Sequence, residues 1–161
     1  MIDPATGRLG IDKPIAVLDS SVTIMAFRQS ALGRRCRPLY GPAPWSMTGL
    51  PLVELEDEPF TIAICFHGEQ LEFVALASRR PSFGTSFDEL SKEKEAARQR
   101  FHNEWLRQQF QNHPWVPSHE PEAPVWTWCF PWGRVLSGWD TKNGTTEIVV
   151  RYRQDGRPMS L

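Results

Sequence analysis

Few residues of this chain are of a type and spacing suited to acid–base chemistry. Its four histidines are His67, His102, His113 and His119. His102 lies in the run RFHNEWLRQQF, about 60° around a helix from Trp105 at 100° per residue, which sets it on the border of an apolar stripe rather than in an acid–base pair. The run is not HExxH, because His102 is followed by Asn103, Glu104 and Trp105, so a zinc-protease site is excluded. His113 and His119 flank a Pro-rich stretch that holds Glu120 and Glu122, in a spacing that matches no familiar metal site. Cys36, Cys65 and Cys129 lie far apart with no CxxC or Cys/His grouping, so reduced thiols are expected instead of a disulfide framework or zinc. Neither GTS at 84–86 nor LSG at 136–138 completes a G-x-S-x-G elbow, and no P-loop or G-x-G-x-x-G occurs. The expectation is a protein without a catalytic set, a metal or a cofactor.

Binding chemistry is better represented. ELEDE places Glu54, Glu56, Asp57 and Glu58 around an expected turn, which is either a solvated corner or a surface that steers a basic partner. With 18 Lys and Arg against 19 Asp and Glu the net charge is -1, so no overall field draws the chain to nucleic acid or to an anionic membrane. Seven tryptophans are present, and Trp115, Trp126, Trp128, Trp132 and Trp139 crowd one stretch. If VWTWCF is extended, Trp126, Trp128 and Phe130 share one face and Val125, Thr127 and Cys129 the other. That row is expected to complete a core beneath a helix. Its alternative is an aromatic surface of Trp126, Trp128 and Trp139 for protein contact or sugar stacking. Trp139-Asp140 opens a turn in which Asn143-Gly144 suits positive φ, and the Asp140 carboxylate is expected to cap that turn rather than to catalyse.

The elements that would position these residues follow from pattern. At 161 residues, with 40% hydrophobic and 23% charged, the chain is expected to be a single domain over 1–161, with 1–14 an extended arm and 111–124 a Pro-rich loop. PIAVLD reads as a short strand. SSVTIMAFRQSALGRR reads as a helix capped at Ser20 or Ser21 and stopped at Gly33, although Val22, Thr23 and Ile24 are β-branched and argue for a strand. LPLVELE, FTIAICF and QLEFVALAS read as consecutive antiparallel strands. The helix-rich composition of 88–110 predicts one long helix with Leu90, Ala97, Phe101 and Trp105 on one stripe and Leu106 and Phe110 off it. The sum is α+β: an antiparallel sheet of about five or six strands, one long helix on a face and a short N-terminal helix. MIDPATGRLG offers no basic or apolar leader, and no run approaches a membrane-spanning length, so a soluble, cytoplasmic protein is expected.

FPWGRVLSGWDTKNGTTEIVVRY, preceded by RFHNEWLRQQF, resembles a family of small, uncharacterised bacterial proteins. Their C-terminal half reads H-x-x-W-L, then P-W-G-x-[IV]-x-S, an aromatic–Asp pair, Gly, Ser or Thr, and I-x-[IV]-x-Y. The positions here are His102, Trp105 and Leu106; Pro131, Trp132, Gly133, Val135 and Ser137; Trp139 and Asp140; and Gly144, Thr146, Ile148, Val150 and Tyr152. SVTIMAFRQSALG is similar to the short helix near the start of such proteins, and the similar segments cover about half the chain. Proteins like these occur among immunity proteins of bacterial toxin systems. The resemblance therefore implies a non-catalytic interaction protein that neutralises a cognate protein toxin by occlusion, and it supplies no catalytic residue. On that reading Glu54, Glu56, Asp57 and Glu58 face the toxin's basic cleft. The alternative is a small-ligand or carbohydrate-binding module using the Trp-rich segment 115–139. Neither a nucleic-acid nor a membrane partner is expected, and the sequence leaves the oligomeric state open.

Overall fold

A computed structural model describes residues 1–39, 41–84, 89, 91–118, 124–140 and 144–152. The alternating runs build one eight-stranded antiparallel sheet from β3 (Arg37–Leu39), β4 (Trp45–Leu55), β5 (Glu58–His67), β6 (Gln70–Ser78), β7 (Trp115–Pro117), β8 (Trp126–Phe130), β9 (Gly133–Asp140) and β10 (Thr145–Tyr152). Spatial order is β3-β4-β5-β6-β10-β9-β8-β7, so β10 inserts between the two meanders, with Val150 opposite Val74 on one side and Val135 on the other. The α+β class and the long helix agree with the sequence reading. The strand count does not: eight replace five or six, because β3 and β7 are three-residue strands containing Pro38 and Pro117, the second inside the stretch 111–124 read as a loop. Short, Pro-bearing strands are tolerated at sheet edges, where a missing N–H costs no ladder bond.

One sheet face carries the core. Phe60, Ile62, Ile64 and Phe66 alternate along β5 and are buried, while Thr61 and Ala63 between them are only half-buried. The same period puts Val135 and Ser137, and Ile148 and Val150, on that face. Helix α3 (Lys92–Gln109) lies across it, capped by the Ser91 hydroxyl, which accepts the Lys94 N–H at 3.2 Å. Its expected stripe holds: Trp105 is buried with its ring 5.5 Å from Phe60, and Phe101 stands 5.7 Å from Phe83. Leu90 lies outside the described residues. Leu106 and Phe110, off the stripe, are also buried, Phe110 lying 5.9 Å from Trp128 and 5.0 Å from Phe130.

The N-terminal helix is two helices, α1 (Ile24–Gln29) and α2 (Ala31–Arg35). Ser30 breaks it: its hydroxyl donates to Phe27 O at 2.6 Å and accepts Gly33 N–H at 3.0 Å, closing one helix and opening the next. The cap at the start is Thr23 instead of Ser20 or Ser21, and the β-branched run before α1 does pair as a strand would, with Leu71 N donating to Val22 O and Ile24 N to Glu69 O. Residues 1–14, expected as an arm, instead pack into the core through Ile2, Leu9 and Ile11, the last two in a separate hairpin of β1 (Leu9–Ile11) and β2 (Ala16–Leu18). This hairpin is lashed to the far end of the chain. Trp132 Nε1 donates to Pro4 O at 2.9 Å and Tyr152 Oη to Leu18 O at 3.3 Å. Gly7, at φ +75°, is required there, since a Cβ would stand 2.4 Å from the Trp132 ring. No described helix is long and apolar enough to cross a membrane.

Candidate functional site

The β4–β5 turn presents the acidic cluster. Glu56 and Asp57 both take positive φ, 52° and 62°, as a tight two-residue turn between twisted strands demands. Glu56 is not among the glycine, asparagine and aspartate such positions prefer, so the turn carries strain of roughly 1 kcal/mol there. Asp12 braces it by accepting the Glu56 N–H at Oδ2, 2.6 Å away. The acids are also partnered within the chain. Glu54 pairs with Lys13 at 2.8 Å, Glu58 with Arg80 through two guanidinium nitrogens, and Glu56 accepts Gln109 Nε2 at 2.5 Å. The Arg80 guanidinium holds the Glu58 carboxyl below the ordinary value. The sequence cluster of Glu54, Glu56, Asp57 and Glu58 therefore stays together and gains Asp12, so that five carboxylates meet two bonded cations, Lys13 and Arg80.

His102 is fully buried and structural. Its Nε2 accepts the Ser78 N–H at 3.1 Å, and burial, with the Arg98 charge, pushes its pKa down to about 3. A neutral acceptor locked to a backbone amide is not a solvent-accessible base. On the same helix Glu95 and Arg98, each 2% exposed, form a buried ion pair. The free Glu95 oxygen accepts Thr146 N–H at 2.6 Å, and Arg98 donates to Phe83 O at 3.0 Å, so the pair fastens α3 to β10 and to the turn before the helix. His113 stands 5.0 Å from the Phe130 ring, whereas His119, Glu120 and Glu122 lie outside the described residues. Among the described residues no three His, Cys, Asp or Glu side chains gather as a metal site requires.

The tryptophan row divides. Trp126, Trp128 and Phe130 share a face of β8 as expected, and Trp128 (0% exposed) and Phe130 close the core under α3. Trp126 is half-buried, stacked on Trp115 at 3.7 Å with the rings 5° from parallel. Beyond it a cleft of about 390 Å³ opens between α3 and β9–β10. Trp126 and Trp139 line it from the sheet. From the helix come Lys92, Glu95, Gln99 and Asn103, spaced three or four residues apart and hence on one face, with Arg100 beside Gln99. Asn103 is 8% exposed, and among the described residues its Oδ1 has no hydrogen-bond partner; neither has the buried Trp139 Nε1. Ser137 Oγ, two residues before Trp139 and opposite Trp126 in register, is a third such atom.

Of the aromatic trio named from sequence, then, the structure brings Trp126 and Trp139 together and removes Trp128 to the core. At the Asp140 corner, the bond across the turn runs from Gly144 N to the Asp140 main-chain carbonyl at 2.8 Å; Gly144 takes φ +67°, and Asn143 lies outside the described residues. Asp12, Glu95 and Asn103 were not singled out by sequence reasoning. The helical spacing of Lys92, Glu95, Gln99 and Asn103 was the available signal for the last two, a polar stripe beside the apolar one. No family model, curated protein or solved structure matches this chain.

Proposed function

We propose that the chain is a non-catalytic interaction protein of the bacterial cytoplasm that neutralises a cognate, cationic protein toxin by covering its basic surface. The observation that carries this is the braced acidic turn. Asp12, Glu54, Glu56, Asp57 and Glu58 outnumber the two cations bonded to them, and the bonds hold the excess negative charge in a fixed place. Fixed surface charge of one sign accelerates encounter with a partner of the opposite sign. Replacing Glu54, Glu56, Asp57 and Glu58 with Gln and Asn is expected to slow association with that toxin about ten-fold or more at low salt and to flatten the salt dependence of the on-rate. Stopped-flow binding at several salt concentrations reads this directly, and equal rates for the two proteins would discard the turn as the contact.

A second reading, a small-ligand or carbohydrate-binding module, is favoured by the cleft between Trp126, Trp139 and Asn103. Its size falls in the range of about 300–1,000 Å³ usual for small-molecule sites.

A further inference from the structure

Buried polar atoms are nearly always hydrogen-bonded, and each one left without a partner costs about 1–3 kcal/mol. Here Asn103 Oδ1 and Trp139 Nε1 belong to side chains that line one cleft, and both lack partners among the described residues. One is an acceptor and the other a donor, so a hydroxyl group, which gives one hydrogen bond and takes others, suits both. Trp126 and Trp139 supply indole surface for the apolar C–H side of a ring. The charged groups of the wall are not balanced. Both Glu95 oxygens are engaged, by Arg98 and by Thr146 N, while Lys92 and Arg100 are exposed and cationic.

We infer that this cleft binds a sugar acid, a hydroxylated ring carrying a carboxylate, with the ring against Trp126 and Trp139, its hydroxyls toward Asn103 and the Trp139 N–H, and its carboxylate toward Lys92 and Arg100. The inference rests on the small-ligand reading and is independent of the toxin reading. A purely apolar ligand would leave the two polar atoms unpaired, a simple inorganic anion would leave the indoles uncovered, and a neutral sugar would leave the cations unused. The sugar acid meets all three features at once.

The test is a titration of the full chain with sodium glucuronate, with glucose and with sodium acetate, following the Trp139 indole N–H resonance. Saturable movement with glucuronate at a concentration at least ten-fold below that needed for glucose, and none with acetate, is the expected result. Lys92→Gln with Arg100→Gln, both exposed residues of the cleft wall, should weaken glucuronate at least ten-fold and leave glucose unchanged. Trp139→Phe, which keeps an aromatic ring and deletes the donor, should weaken both sugars in a calorimetric titration, with a thermal melt showing that the fold persists. Equal binding of glucose and glucuronate would overturn the acid specificity while leaving the small-ligand reading in place. If neither sugar moves the Trp139 resonance, both the inference and that reading fall.

Discussion

The acidic turn and the α3–β9 cleft treat polarity in opposite ways. At the turn, charges stand near solvent and yet Glu54, Glu56 and Glu58 each have a partner from another part of the chain. In the cleft, polar atoms are buried and at least Asn103 Oδ1 and Trp139 Nε1 have none among the described residues. Water screens the first set, so its pairs add little stability and its charge remains available to a partner. Nothing screens the second set, so its unmet bonds are a cost that the rest of the fold must offset. Exposed and paired chemistry can be replaced cheaply, whereas buried chemistry cannot be altered without consequence for folding, binding or both.

The sharpest test of that contrast compares two glutamates that each hold an arginine. Glu95→Ala removes one partner of a pair with both side chains 3% exposed and strands Arg98, at an expected cost of about 3–5 kcal/mol. Glu58→Ala breaks a pair whose side chains are 24% and 40% exposed, and should cost under about 1 kcal/mol. Urea melts of the two variants decide it, and equal losses would erase the distinction between the regions.

Next in size is the pH response of His102. Its native pKa of about 3 is depressed from the ordinary 6.5, so below pH 6.5 the unfolded chain binds a proton that the folded chain refuses. Stability from this group is full above pH 6.5 and declines as pH falls toward 3, by up to about 1.4 kcal/mol per pH unit. His102→Gln should flatten the difference in denaturation midpoint between pH 7 and pH 5. An unchanged slope would show that carboxylates elsewhere dominate acid sensitivity.

Asn103→Leu carries the comparison into the cleft itself. Removing a side chain whose buried Oδ1 has no partner among the described residues is expected to leave stability unchanged or to raise it by about 1 kcal/mol, while ligand binding is lost. A clear loss of stability would mean that Asn103 serves the fold. The smallest effect belongs to the turn: Asp57→Gly relieves a positive φ and should raise stability by at most about 1 kcal/mol, the entropy of glycine offsetting part of the gain. Differential scanning calorimetry against the wild type resolves a shift of that size.

What the sequence disclosed and what it hid divide along physical lines. Period-two alternation in FTIAICF and the apolar stripe of Phe101 and Trp105 were legible, because burial of a whole face leaves its period in the chain. The break at Ser30 was not, since a serine inside a helical pattern acts through a local hydrogen bond that leaves the period intact. β3 and β7 were hidden by their prolines and by a length too short to show alternation. At the site, the acids at 54–58 could be read as a group because they are neighbours in sequence. Asp12 joins them across a separation of 44 residues, and the meeting of Asn103 with Trp139 depends on how α3 crosses the sheet. Contacts of that kind are decided by packing, of which the linear pattern holds no record.

The position of β10 has a consequence for how a ribosome must deliver this protein. Seven strands of the sheet are synthesised before β10, yet β10 is the element that bonds to both β6 and β9. Until Thr145–Tyr152 emerges, each meander waits with one long flank of N–H and C=O groups unsatisfied, and the Pro-bearing rims at β3 and β7 protect only the outer sides. A released chain in which Thr145–Tyr152 has not yet docked therefore holds two half-sheets with adhesive inner margins. Slow docking of this segment would prolong the interval in which neighbouring chains could join through them.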